Sequence, residues 1–179
     1  NCSVNSVSGI IVISFSGGNT LTNNICSGND YGIHLFGSSG NTLMNNSMVD
    51  CGIVLSGSSL DHYTAHNIGT DNTVNGKPVQ YIKNQIGCTV PSGAGEVILV
   101  KCTHVTVENQ NLCNGSIGVL IVYSDYCTII NNDVSGNSLK GIHLESSDRN
   151  TISNNNVSEN SYGIYLYMSA NNIITNNTR

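Results

Sequence analysis

Carboxylates and cations are the side chains in this sequence that could act on a polysaccharide. Glycoside hydrolysis needs two carboxyl groups on one face, about 5 to 10 Å apart. In a repetitive fold this requires acids at matching positions of neighbouring repeats, but the candidates Asp125, Asp133, Glu145 and Asp148 occupy different positions. A uronate lyase also needs a basic residue, and none of the six Lys and Arg recurs on one face. We therefore predict no catalytic residues.

Histidine, cysteine and methionine are the side chains that bind copper. His34 and His143 share one position of the repeat but are more than one turn apart. His62 and His66 are close in a predicted loop, which could bring their imidazoles together with His104 nearby. The three methionines are scattered. Ordinary polar roles are favoured for these residues, so we predict no metal site and no cofactor.

The chain has seven cysteines, an odd number that leaves at least one thiol free or paired between chains. Cys26 aligns with core valines and is predicted to be buried, whereas Cys102 and Cys127 fall at turn positions that should face outward. The candidates for disulfides, within or between chains, are Cys2, Cys51, Cys88, Cys102, Cys113 and Cys127. Such cysteine use favours an extracellular, cell-surface location.

A repeat of about 22 residues organises the chain. Its anchors are Gly9, Gly32, Gly52, Gly118, Gly141 and Gly163. After each anchor, apolar and polar residues alternate with a period of two, as in a half-buried strand. A second apolar position follows later in the turn, at Leu21, Leu43, Val107, Ile129, Ile152 and Ile174, with Ala65 in the third turn. This pattern predicts an all-β protein, a right-handed parallel β-helix of about eight turns.

An asparagine recurs two residues after that second apolar position. The set is Asn23, Asn45, Asn67, Asn109, Asn131, Asn154 and Asn176. Asparagine tolerates a left-handed turn, and stacked amides can pass hydrogen bonds from one turn to the next. We interpret the set as a structural asparagine ladder and not as a substrate site.

Residues 1–179 are predicted to form one β-helix domain, interrupted at residues 69–95. The interruption contains both prolines of the chain. Asn75-Gly76 indicates a tight turn, and residues 79–82 a strand that leaves it. We expect residues 69–95 to form a hairpin or loop excursion from the solenoid wall.

The outward positions of the first strand should be polar if water covers that wall. Many are instead apolar or aromatic: Ile11, Ile13, His34, Phe36, Val54, Leu120, Val122, Tyr165 and Tyr167. Such a stripe marks an interface, either with the 69–95 excursion or with another molecule. The ends also lack polar caps, so the chain either belongs to a longer β-helix or stacks end to end with other copies.

Composition limits the partners. Only 9% of the residues are charged, and a net charge of -5 with six Lys and Arg argues against nucleic acid. No apolar run approaches the roughly 20 residues of a membrane span. A homo-oligomer or polymer is the expected assembly, with surface glycans as another candidate partner.

The repeat unit resembles a known family of surface proteins. The stretch GIHLESSDRNTISNNN from Gly141, with the segments NGKPVQYIKN and PSGAGEVILVKCTHVTVEN, is similar to NosD-like, pectin-lyase-like β-helix repeats of archaeal and bacterial surface or periplasmic proteins. The resemblance implies a cell-envelope protein. In this family context we expect a structural protein of surface-layer or sheath type that self-assembles through open ends and the apolar wall, with disulfides between chains.

Two other functions remain open from the sequence. A carbohydrate-binding or polysaccharide-processing surface module is one, because tyrosines cluster by turn at Tyr123 and Tyr126 and at Tyr162, Tyr165 and Tyr167. Copper handling, which the resemblance to the NosD-like family implies, is the other.

Overall fold

The computed structural model describes the whole chain, residues 1–179, and consists almost entirely of short strands. Nearly all paired strands run parallel and stack into a β-solenoid of about eight turns, which is divided into two stacks of three and five turns. This confirms the predicted fold. The single helix has four residues, and no helix of the chain has the length and hydropathy to cross a membrane.

The chain forms two short solenoids, which we call the first lobe (residues 1–74) and the second lobe (residues 77–179). The elements of the first lobe are β1 Cys2–Ser3, β2 Ser8–Ile13, β3 Thr20–Thr22, β4 Ile25–Ser27, β5 Tyr31–Phe36, β6 Thr42–Met44, β7 Ser47–Val49, β8 Ile53–Ser56, α1 Asp61–Thr64, β9 Asn67–Ile68 and β10 Thr73–Val74. Its three walls are β2-β5-β8, β3-β6-β9 and β1-β4-β7-β10.

The second lobe repeats this plan. Its strands are β11 Lys77–Lys83, β12 Glu96–Val100, β13 Thr106–Glu108, β14 Ile117–Val122, β15 Thr128–Ile130, β16 Lys140–Glu145, β17 Thr151–Ser153, β18 Tyr162–Tyr167 and β19 Ile173–Thr175. Two walls are β11-β12-β14-β16-β18 and β13-β15-β17-β19. Isolated bridges join successive turns along a third side, for example Asp133 to Asn156.

The apolar ladders stack in register inside each lobe. Ile33 pairs with Ile53 in the first lobe and Val119 with Ile142 in the second, and all four are fully buried. Because alternate strand residues point to opposite faces, the period-two pattern places them inside.

One member of the second ladder was predicted wrongly. Leu43 pairs with Ile68 and not with Ala65, which is exposed at the end of α1. The helix lengthens this turn and moves the ladder position three residues along the chain.

A tight hairpin reverses the chain between the lobes. Asn75 and Gly76 have φ of 51° and 77°, the left-handed values that a two-residue hairpin loop requires. As a result β10 and β11 pair antiparallel, while the other paired strands run parallel. Strand β11 then pairs in register with β12. Residues 77–83 are therefore a wall strand of the second lobe and not an excursion from the wall.

After this reversal the second lobe lies alongside the first. The hydroxyl of Ser116 donates to the carbonyl of Asp30 at 2.7 Å and accepts the N–H of Gly52 at 2.7 Å. Ser138 Oγ donates to the same Asp30 carbonyl at 2.9 Å. The two first walls face each other, because outward residues of the second lobe such as Ile98 pack into the core of the first.

The outward apolar stripe is therefore largely an internal interface. Val54, Leu120 and Val122 are buried between the lobes, whereas Ile11 and Ile13, at equivalent outward positions of the first turn, are more than half exposed. The sequence predicts that the stripe contacts either the 69–95 excursion or another molecule. It does not predict that the stripes of two parts of one solenoid pack against each other.

The asparagine ladder divides into two neighbouring positions. Six of the seven predicted residues have left-handed φ between 53° and 57°: Asn23, Asn45, Asn109, Asn131, Asn154 and Asn176. Asn67 lies in β9 instead. The side-chain hydrogen bonds between turns are made by the next residue, because the left-handed residue faces solvent and its successor points inward. These inward asparagines form the stacks Asn24-Asn46-Asn72 and Asn132-Asn155-Asn177.

All seven cysteines are unpaired, including the candidates Cys2, Cys51, Cys88, Cys102, Cys113 and Cys127. Cys26 is buried, as predicted. Cys102 and Cys127 are also buried, against the prediction, and each thiol lies within 3.5 Å of the backbone carbonyl two residues before it. Desolvation raises the pKa of Cys127 to about 11.

Candidate functional site

The two lobes separate toward the first and last turns and leave a cleft between their first walls. It contains two cavities of about 680 and 450 Å³ that share residues of both lobes. We call this feature the interlobe cleft. The residues used below are Tyr31, His34, Phe36, Ser56 and Tyr63 of the first lobe, and Lys140, His143, Glu145, Tyr162, Tyr165 and Tyr167 of the second.

Strands β16 and β18 supply the second-lobe wall of the cleft. His143 and Glu145 occupy outward positions of β16, beside Tyr165 and Tyr167 of β18. In the preceding turn the same positions hold Leu120 and Val122, which close the lobe interface. The stripe thus changes from apolar to polar and aromatic where the lobes part.

Tyr63 joins the lobes at the base of the cleft. Its hydroxyl donates to Glu145 Oε1 at 2.8 Å and accepts the N–H of Gly57 at 2.9 Å. Burial, and then the nearby Glu145 carboxylate, raise the pKa of Tyr63. The phenol therefore stays protonated and holds Glu145 by one oxygen.

His143 is nearly buried beside Glu145. Burial, and then the Lys140 ammonium, lower the pKa of His143 to about 3, so its imidazole is neutral at physiological pH. Nδ1 lies 3.3 Å from Lys140 Nζ. Nε2 has no hydrogen-bond partner and lies 3.9 Å from Glu145 Oε2.

The opposite wall carries a second neutral imidazole. His34 Nε2 lies 2.8 Å from Ser56 Oγ, and the ring stacks on Tyr31 with centroids 4.5 Å apart. Burial lowers the pKa of His34. Phe36 meets the His34 ring edge-on, so this wall presents an aromatic surface with little charge.

Tyrosines form the corresponding surface of the second lobe. The rings of Tyr162 and Tyr165 meet at a centroid distance of 5.5 Å, and Lys140 Nζ lies 4.3 Å from the centre of the Tyr165 ring. A cation over a ring face is attracted to the ring electrons. Aromatic faces with a few polar groups between them are the usual lining of a small-molecule site.

The acidic candidates have separate roles. Asp125 accepts the N–H of Asp148 at 2.7 Å, and Asp148 accepts that of Ala170 at 2.7 Å, so both stabilise stacked turns. Asp133 Oδ1 accepts the side-chain amide of Asn156 in the next turn at 3.0 Å and the hydroxyl of Ser135 in its own turn at 2.7 Å. Only Glu145 faces the cleft.

Four residues of the cleft are not singled out by any pattern in the sequence, namely Tyr31, Ser56, Tyr63 and Lys140. Tyr63 is 82 residues from its partner Glu145, and no local pattern could join them. A usable signal was present in the outward stripe, where apolar residues give way to His143, Glu145 and two tyrosines in the last two turns.

The suggested histidine cluster does not form. His66 uses Nε2 on the carbonyl of His62 and Nδ1 on the N–H of Asn41, while His62 Nδ1 accepts the N–H of Ser58. His104 stacks on Tyr126 elsewhere. No three His, Cys, Asp or Glu side chains come close enough to hold one metal ion.

Comparison with known proteins gives one family. The family described as "Periplasmic copper-binding protein (NosD)" matches the chain twice, over residues 1–90 and 83–179, nearly one match for each lobe. No curated protein and no solved structure matches the chain. With both lobes matched and the solenoid fold in place, the chain belongs to the NosD family.

Proposed function

We propose that this protein is a carbohydrate-binding module of the cell envelope and that the interlobe cleft is its binding site. One observation carries the proposal: aromatic side chains line both walls of the cleft, with the neutral imidazoles of His34 and His143 beside them. Sugar rings present C–H faces that pack on aromatic rings, and hydroxyls that need polar partners. The periplasmic description of the family supports an envelope location.

A glycan panel tests this proposal. We expect the wild-type protein to bind at least one envelope or plant polysaccharide, and Tyr162→Ala combined with Tyr167→Ala to weaken binding about thirtyfold, since each of the two stacked rings contributes about 1 kcal/mol. Both tyrosines are exposed at the cleft, so the fold should tolerate the change.

Tyr126→Ala is the matched control. Tyr126 is similarly exposed but stacks on His104 away from the cleft, so its loss should leave binding unchanged. A wild-type protein that binds no glycan in the panel, or a control that loses as much affinity as the double variant, would refute the cleft as the site.

A second candidate function is a structural one, self-assembly into an envelope layer. The first and last turns both carry exposed apolar side chains, Ile13 and Phe15 in the first turn and Ile173 and Ile174 in the last. Exposed apolar residues beside edge strands favour association. Cys2, Cys88 and Cys113 retain some exposure and are the thiols available to link copies.

Sedimentation over a range of concentrations tests the structural candidate. We expect polymers that reductant weakens and that Phe15→Asp reduces, because a charge on this face opposes its burial. A chain that stays monomeric at high concentration, with and without reductant, would count against assembly.

Copper, which the family description names, fits the side chains of this chain poorly. No three His, Cys, Asp or Glu side chains converge, and the buried thiols of Cys26 and Cys127 resist ionisation, because burial raises their pKa to about 12 and about 11. Copper is bound by thiolate and by accessible imidazole. We therefore derive no copper chemistry for the cleft.

A further inference from the structure

We infer that the ligand of the interlobe cleft is a neutral sugar, one of whose hydroxyls binds between His143 Nε2 and Glu145 Oε2. The inference rests on the proposed carbohydrate-binding function and narrows it to a ligand class. The evidence for it is that His143 Nε2 and Glu145 Oε2 have no hydrogen-bond partner among the groups described above and lie 3.9 Å apart.

The position of the imidazole proton follows from Lys140. An ammonium group has donors only, so at 3.3 Å it donates to Nδ1 of His143. A neutral imidazole that accepts at Nδ1 carries its proton on Nε2. That N–H is buried and has no partner, which is unfavourable unless a ligand supplies an acceptor.

Glu145 supplies the complementary acceptor. Tyr63 occupies Oε1, which leaves Oε2 free beside the imidazole. The distance of 3.9 Å between Nε2 and Oε2 is too long for a direct hydrogen bond. An oxygen placed between them can lie about 2.8 Å from both, which is a normal hydrogen-bond length.

A hydroxyl group fits this pair because it can accept and donate at once. It would take the hydrogen of Nε2 and give its own to Oε2. A carboxylate only accepts, so in the same place it would repel Glu145. The side chains of His143 and Glu145 keep 8% and 15% exposure, which puts the pair on the floor of the cleft.

The charges of the cleft exclude a preference for acidic sugars. Lys140 is the only Lys or Arg that lines it and Glu145 the only Asp or Glu, so their charges cancel. His62, which also lines it, accepts the N–H of Ser58 at Nδ1 and carries no proton there. The Lys140 ammonium is already directed to His143 and to the Tyr165 ring. A uronate would need a free cation, and the cleft offers none.

The first test compares sugars and needs no variant. Glucan, galactan and mannan oligosaccharides are titrated against the wild-type protein beside the same oligosaccharides oxidised to uronates at C6. We expect at least one neutral oligosaccharide to bind about tenfold more tightly than its oxidised counterpart, the size of one lost hydrogen bond to a charged group.

Variants of His143 then test the hydroxyl contact. His143→Leu removes the donor and should weaken binding of the neutral sugar about tenfold, while His143→Gln keeps an N–H and should retain most of it. His104→Leu, which changes a histidine outside the cleft, should bind as the wild type does. Circular dichroism establishes that each variant is folded.

The outcomes separate the two proposals. If no oligosaccharide binds, the proposed function fails and this inference fails with it. If the uronates bind as well as the neutral sugars or better, the carbohydrate function stands and the neutral ligand is refuted. If neutral sugars are preferred but His143→Leu binds normally, the hydroxyl contact is refuted.

Discussion

Glu96 is a buried carboxyl group in the interface between the lobes. Its Oε2 accepts the N–H of Ile53 at 2.9 Å, and its Oε1 has no partner. Desolvation raises the pKa of Glu96 to about 8, so the group is largely protonated at neutral pH. A neutral carboxyl can stay in this interface, whereas an ionised one would be an unpaired buried charge.

Replacing Glu96 should change how the free energy of unfolding depends on pH. Because the folded pKa is raised, the contribution of Glu96 is fully present below the ordinary value of 4.5 and is lost as pH rises through about 8. The slope is at most about 1.4 kcal/mol per pH unit. Glu96→Gln keeps an acceptor for Ile53 and should abolish this slope.

Urea unfolding of both proteins between pH 4.5 and 8 measures the effect. The difference between them isolates Glu96 from His34, His66 and His143. Burial lowers the pKa of these histidines, so their contribution to the free energy of unfolding changes in the opposite direction and is lost as pH falls. Parallel pH profiles for wild type and variant would show that Glu96 is not held neutral in the fold.

At the scale of the elements, inward-facing amides connect one turn to the next. Asn155 Oδ1 accepts both the N–H and the side-chain amide of Asn132, at 2.9 and 3.0 Å. Its own amide donates to the Ile129 carbonyl at 3.0 Å. The turns are short and their backbone groups face inward, so side chains must complete the hydrogen bonding.

Removing one of these inward amides should destabilise the stack. Asn155→Ala leaves the buried partners from Asn132 and Ile129 unpaired, at a cost of about 2 to 4 kcal/mol in the free energy of unfolding. The neighbouring Asn154→Gly is the control. Asn154 is exposed with φ of 55°, a value that glycine adopts freely, so it should change stability by less than about 0.5 kcal/mol. Equal losses in urea unfolding would contradict the assignment.

The repeat and its ladders could be predicted from sequence because they depend on neighbours along the chain and on a fixed period. The left-handed asparagines and the Asn75-Gly76 turn could be predicted for the same reason, because each depends on residues that are adjacent in the sequence. What the turn does to the fold could not be predicted. Whether a strand leaving a hairpin joins the wall or departs from it depends on its partner, and β11 finds that partner in β12.

The candidate site shows the same limit. Tyr165 and Tyr167 were recognised as unusual outward residues, but their setting is a cleft whose other wall comes from a distant part of the sequence. Contacts such as Tyr63 to Glu145 form only after the lobes fold together. The apolar stripe was evident, and its partner was not.

In the whole molecule, one stripe of residues both holds the lobes together and opens the cleft. Near the third and sixth turns the stripe is apolar and buried, as at Val54 and Leu120. In the second turn and in the last two turns it becomes aromatic and polar, as at Phe36 and His143, and the lobes part around the cleft. The buried half thus sets the separation of the two walls that would hold a ligand.

Leu120 and Ile11 test this division, because both are the second residue after a glycine anchor. Leu120 is 1% exposed between the lobes and Ile11 is 52% exposed. Leu120→Ala should cost about 2 to 4 kcal/mol by leaving a cavity, and Ile11→Ala less than about 1 kcal/mol. Chemical denaturation of both variants measures the contrast, and equal losses would mean that the lobes are not packed as described. If the lobes fix the cleft, Leu120→Ala should also weaken glycan binding in protein that is still folded, while Ile11→Ala should not.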